Sequence, residues 1–223
     1  MEQYSNLDNV IDDFEQQKEL SDWEIFIKIW ISPRKFFKYI IDRNYGKYVM
    51  TLLVLSGISR AFNLASTNNI GDELFIGGII FICVTFGGFF GWVAYVIFAA
   101  LVSRTGKWLK GEGNTNSILK VIAYAMIPSV IALIFLIPQI IIYGEEIFVS
   151  NGDITSAGLI SNIVVYLSSF LEFILGIWTI VLCVIGISEV QKFSIGKSIL
   201  NLLLPGLIIL VIILFRVSLT KTF

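Results

Sequence analysis

Two ionisable side chains stand inside stretches that are otherwise almost wholly apolar. Arg60 falls toward the far end of the stretch 45–65, and Glu172 interrupts the stretch 159–187. On helices, Arg60 lies about 13 residues, or roughly 20 Å, beyond Lys47, and Glu172 about 17 residues, or about 25 Å, before Glu189. If Lys47 and Glu189 mark the same membrane face, the two depths agree to within roughly one helical turn. An unpaired charge at such a depth costs at least about 2.5–3.5 kcal/mol. A candidate intramembrane polar pair, Arg60 with Glu172, is therefore expected. Two other readings stand beside it: Arg60 snorkelling to an interface on its aliphatic stem, and a polar route for protons or solutes near both residues.

Other chemistry has little to stand on. The 223 residues include no histidine, which removes the commonest general base and the commonest metal ligand. Cys83 and Cys183 both lie in apolar stretches and read as small buried hydrophobes. Gly106-Lys107 and Gly111-Glu112-Gly113 lack the spacing of a phosphate-binding loop. Gly196-Lys197-Ser198 fails too, because Gln191 stands where the first glycine is required. There is no H-E-x-x-H and no G-x-S-x-G. No aspartate falls inside an apolar stretch to make a carboxylate pair. No catalytic, cofactor-binding or metal-ligating residue is assigned, and an enzyme is not expected. Neither is a nucleic-acid partner.

The elements that would position these residues are membrane spans. Hydrophobic residues make up 56% of the chain and charged residues 15%, with a mean hydropathy of +0.83; a globular domain is nearer 45–50% and about 25%. Leu74 to Val102 carries no charge, and Ile118 to Tyr143 carries only Lys120. Each exceeds the roughly 20 residues that cross a hydrocarbon core of about 30 Å, where backbone groups without water must be helical. Five spans are expected, at about 45–65, 74–102, 118–143, 159–187 and 198–215. An N-terminus inside places 13 of the 16 cations on the cytoplasmic face, leaving Arg60, Arg216 and Lys221. The opposite loops hold Asp72, Glu73, Glu145, Glu146 and Asp153. By the positive-inside tendency the N-terminus is cytoplasmic and the C-terminus, with a short tail at 217–223, lies outside.

Before the first span come two further segments. Residues 1–22 are acidic and lack the apolar core of a cleavable signal peptide. They read as a cytoplasmic tail in which Leu7, Val10, Ile11 and Phe14 form one helical stripe suited to a partner or to the protein's own basic loops. Residues 23–44 read as an interfacial amphipathic helix. Ser32-Pro33 is a helix start, Phe36, Phe37, Ile40 and Ile41 share a face, and Arg34, Lys35 and Lys38 oppose it. With Trp30 these residues are assigned to the membrane surface, against anionic headgroups; a soluble core helix is the other reading of the pattern.

Within the spans, Gly87 and Gly91 make a G-x-x-x-G that lets two backbones approach, inside the monomer or across a homodimer. Pro128, Pro138 and Pro205 each remove a backbone donor and are expected to kink their helices. Broken helices around a solute are the alternative.

The hairpin of the second and third spans resembles the Yip domain family (Ypt/Rab-interacting proteins), particularly its bacterial members. Gly106-Lys107 and Gly111, then Ile122-Ala123-Tyr124-Ala125-Met126-Ile127-Pro128, look like the family's glycine-rich turn followed by "aya" and a proline. Trp30-Ile31-Ser32-Pro33-Arg34-Lys35-Phe36-Phe37 looks like its pre-membrane segment. The stretch from Trp178 through Gly186-Ile187-Ser188-Glu189-Val190-Gln191 to Ser194, Lys197 and Ser198 resembles its fourth-span ending. The likeness covers about residues 23–216. It implies five spans and a cytoplasmic N-terminus, with eukaryotic relatives tied to Rab GTPases, vesicle traffic and organelle shape, and no catalytic residues. Many Ile, Lys and Asn with no His suit a bacterial protein, hence the cytoplasmic (inner) membrane. The expected function is a non-enzymatic, membrane-organising or protein-interaction scaffold with membrane or cytoplasmic protein partners. A small transporter, channel or lipid-translocating protein is the alternative. A transporter needs a continuous wet cavity reaching Glu172, whereas a scaffold should be packed shut there.

Overall fold

The computed structural model describes residues 21–154 and 158–220, with 212–220 as helical backbone alone. The stripe of Leu7, Val10, Ile11 and Phe14, most of the acidic segment, and residues 221–223 lie outside the described residues. The described chain is all-α. Helices α1 (Asp22–Ile31) and α2 (Pro33–Asp42) precede α3 (Val49–Thr67). Then come α4 (Ile76–Ile82), a π-helical turn over Cys83–Gly87, and α5 (Gly88–Trp108), followed by α6 (Thr115–Ala125) and α7 (Ile127–Tyr143). Last are α8 (Leu159–Gln191) and α9 (Ile195–Thr220).

Among the described residues, four stretches are long and apolar enough to cross a membrane: Val49–Thr67, Ile76–Trp108, Thr115–Phe148 and Leu159–Gln191. A shorter apolar stretch, Ile195–Val211, follows in α9. Together they make a polytopic helical bundle. One end carries α1, α2, the 109–114 loop and the α8–α9 turn, and is rich in Lys and Arg. The other carries Asp72, Glu73, Glu145, Glu146 and Asp153. We call these the basic and acidic ends.

Local chemistry explains the helix limits. The Ser21 side chain accepts from the Glu24 N–H while Glu24 reaches back to Ser21, a reciprocal cap for α1. Pro33 opens α2, where its missing N–H leaves no bond unmade. The Asn114 side chain accepts from Ser117 N–H to start α6. Lys192, at φ 57°, ends α8 in the left-handed region.

The main core lies at the basic end. Phe36, Phe37 and Ile40 of α2, Ile118, Val121, Ile122 and Tyr124 of α6, and Leu182 and Ile187 of α8 are all buried in it. The ring of Phe36 meets Tyr124 edge-on at 5.5 Å. Gly186 supplies the room: a Cβ there would run into Val121 and press on Phe37. The assignment of Phe36 and Phe37 to the membrane surface is thereby corrected. Their face of α2 is covered by α6 and α8, so protein takes the place that lipid was expected to fill. Lys35 and Lys38 are exposed, as expected of the polar face. Arg34 pairs with Glu189 of α8 at 3.1 Å, and Trp30 stacks on Trp178, with ring centroids 6.3 Å apart and planes 2° apart.

A smaller cluster of Phe62, Ala65, Ile79, Cys83 and Phe148 closes the acidic end.

Candidate functional site

Each of three helices turns one stripe toward a common cleft in the half of the bundle nearer the acidic end. From α3 come Ser59, Phe62, Asn63 and Ser66; from α8 come Ser169, Glu172, Phe173 and Gly176. Both sets follow i, i+3, i+4, i+7, the spacing of a single helix face. Helix α7 contributes Ser129, Ala132, Leu133, Leu136 and Gln139 and packs against both α3 and α8. The partly open cleft between them has a volume of about 300 Å³.

The hydrogen-bond geometry gives the cleft its chemical character. The Gln139 side-chain amide donates to Glu172 Oε1 at 2.6 Å and, more weakly, to the Phe135 carbonyl at 3.3 Å. The Ser59 hydroxyl donates to the Ser129 carbonyl at 3.0 Å, and the Ser66 hydroxyl to the Ile147 carbonyl at 3.0 Å. These donors are spent on the protein itself. What they leave toward the cleft is lone pairs on the Ser59 and Ser66 oxygens, the Gln139 carbonyl and the second Glu172 oxygen, beside Asn63, Ser129 and Ser169, which keep donors of their own. No lysine or arginine is among the lining residues. Toward the acidic end, Tyr143 donates to Asn162 Oδ1.

This arrangement corrects the expected ion pair. Glu172 takes its hydrogen bond from Gln139, and Arg60 forms no salt bridge with it. Helical rise fixes the height of a residue, but not its bearing around the helix axis. Arg60 is displaced by one residue from Ser59, which turns it about 100° away, onto an exposed position beside the cleft.

A second polar cluster, at the basic end, is buried and closed. Gln191, 1% exposed, accepts from Gly113 N–H at 2.9 Å. Its amide donates to the Val102 carbonyl at 3.4 Å and to Asn201 Oδ1 at 3.3 Å. Asn201 donates to the same carbonyl at 3.0 Å and to Thr105 Oγ1 at 2.8 Å, and Ser103 donates to the Gly113 carbonyl. The network fixes the glycine-rich loop to the start of α9. The glycines are required because Gln191 lies against Gly106, Gly111 and Gly113, and a Cβ on either of the first two would overlap its carboxamide.

Gly87 and Gly91 meet Gly57 and Ala61 of α3, so this pair brings two helices of one chain together. Pro128 occupies the first turn of α7, just after the break at Met126, whereas Pro138 and Pro205 lie within continuous helices. Gln139, Asn201 and the serines of the cleft were not singled out by the sequence, and Gln191 entered only as part of the family resemblance and as the residue that breaks the phosphate-loop pattern. The available signal was the repeat of polar residues on one helix face, Ser59-Asn63-Ser66 and Ser169-Glu172.

The model of the Yip1 domain matches residues 27–216 of the chain. Neither a curated protein nor a solved structure matches it. The matched region takes in α2 to α8, both polar clusters and most of α9, and on that ground this integral membrane protein belongs to the Yip1 domain family.

Proposed function

We propose that the protein is a non-enzymatic membrane-organising scaffold, with its basic end in the cytoplasm of a bacterial cell and its bundle in the inner membrane. The observation that carries this reading is the solid basic-end half. Phe36, Phe37, Ile122, Tyr124, Leu182 and Ile187 are buried between α2, α6 and α8, which supports a rigid platform. Around it Lys35 and Lys38 stay exposed and offer cations to anionic headgroups or acidic protein surfaces. Homodimer formation is compatible with this role, but Gly87 and Gly91 are occupied within the monomer.

The cleft at Glu172 favours a second reading, the transporter or lipid-translocating protein, because a pure scaffold has no need of it. Reconstitution into liposomes separates the two. The scaffold reading expects no solute flux and no lipid scrambling above protein-free vesicles. Flux or scrambling that falls in Glu172→Gln would replace it with the second reading.

A further inference from the structure

We infer that the cleft between α3, α7 and α8 is a binding site for the headgroup of an ethanolamine phospholipid, with the primary ammonium held by Glu172. The inference deepens the reading of the cleft as a ligand site but does not require that anything be moved across the bilayer.

Three observations lead there. The first is the carboxylate with one oxygen left free. The hydroxyls of Ser59 and Ser66 and the amide of Gln139 are committed to Ser129, Ile147, Phe135 and Glu172, so their oxygen lone pairs stand around one carboxylate, with donors left to the lining on Asn63, Ser129 and Ser169. A guest that meets the free Glu172 oxygen must bring a donor, and preferably positive charge. A primary ammonium has three N–H groups and meets both needs, whereas a trimethylammonium has none.

The second is size. At about 300 Å³ the cleft is at the low end of small-ligand sites and far larger than a single dehydrated ion. The third is placement. Arg60 is exposed beside the cleft, one residue from Ser59 and three from Asn63, and has no ion-pair partner among the described residues. A cation next to the cleft on α3 and a carboxylate within match the phosphate and ammonium of one zwitterionic headgroup. The cleft is also lined by Phe173, which is 65% exposed on the lipid-facing side of α8 with Phe170 and Ile177, where acyl chains would lie.

The test uses the full-length protein in mild detergent. Equal amounts of phosphatidylethanolamine, phosphatidylcholine and phosphatidylglycerol are supplied, and retained lipid is read by native mass spectrometry. The expected result is preferential retention of phosphatidylethanolamine. Glu172→Gln keeps the shape of the side chain and should cut that retention by roughly tenfold, the usual scale for loss of one charge-assisted hydrogen bond. Gly176→Leu is the steric counterpart: a Cβ at Gly176 meets nothing within 4 Å, so the side chain should fill the cleft without disturbing the fold. Both variants are checked for an unchanged elution volume and melting temperature. Soluble phosphoethanolamine, added alone, should protect against melting far less than the lipid does. Equal retention of the ethanolamine and choline lipids, or an ethanolamine preference that survives both variants, overturns the proposal. Full protection by free phosphoethanolamine, with no retained lipid, would make the ligand a soluble amine and overturn it equally. Absence of flux in the liposome assay alongside retained lipid would leave a lipid-holding scaffold.

Discussion

The Gln191 carboxamide lies directly over Gly106 and Gly111, on the other side of the hairpin loop, and takes the place that any side chain at those positions would fill. Loop, α8 and α9 are joined by this one contact and by the bonds it makes to Gly113, Val102 and Asn201. The glycine-rich turn of the sequence is thus a receptor for a buried amide.

Gly111→Ala should destabilise the protein by about 1–3 kcal/mol, the cost of overpacking a filled site. Gly196→Ala is the control. It sits in the first turn of α9 with open space around it and should be neutral or stabilising by about 0.5–1 kcal/mol. Melting in detergent, followed by circular dichroism, compares them.

Gln191→Ala leaves the Gly113 N–H and part of Asn201 buried without partners, and should cost about 2–3 kcal/mol. Asn201→Ala should cost a similar amount, and the double variant less than the two together, because both belong to one network. Additive losses in a double-mutant cycle would argue against a shared network.

Gly91→Leu should disrupt the contact between α3 and α5 within the chain, because even a Cβ there overlaps Gly57. A loss of about 1–3 kcal/mol or more is expected, with no shift from dimer to monomer. Light scattering coupled to size exclusion reads the mass, and a dimer that dissociates on this substitution would place the glycines at a subunit interface.

The salt bridge between Asp22 and Lys47, 2.9 Å long, ties the start of α1 to the start of α3 and should give α1 a pH-dependent attachment. The Tyr48 hydroxyl first, and Lys47 second, hold the Asp22 carboxyl below its ordinary 3.8. Tyr48 and Asp22 in turn hold Lys47 above its ordinary 10.5. A depressed acid stabilises the folded form above its unfolded value, and that contribution is lost as pH falls through the folded value. A raised base does the reverse, losing its contribution as pH climbs past 10.5. Attachment of α1 should therefore be constant from about pH 5 to 9 and weaken below about pH 4. Hydrogen exchange of residues 22–31 against pH would register this, and Asp22→Asn should abolish the acid limb.

Much of the architecture was legible in the residues. Long apolar runs set the spans, the Lys and Arg distribution separated the two ends, and Ser32-Pro33 marked the start of α2. The fate of Phe36 and Phe37 was not legible, because an apolar helix face looks the same whether lipid or another helix covers it. The Arg60–Glu172 pair failed for a geometric reason: distance along an axis was known, and direction around it was not. Gln139 escaped notice because an uncharged amide carries little cost that sequence alone would flag. Yet it holds the carboxylate of the cleft.

The parallel indoles of Trp30 and Trp178 join the pre-membrane segment to the longest helix of the bundle. Because emission from an indole responds to its neighbours and its contact with water, this couple makes the molecule its own optical gauge. Lifting the N-terminal arm from the bundle, by a binding partner or a change of lipid, would separate the rings and register as a spectral change without any attached dye.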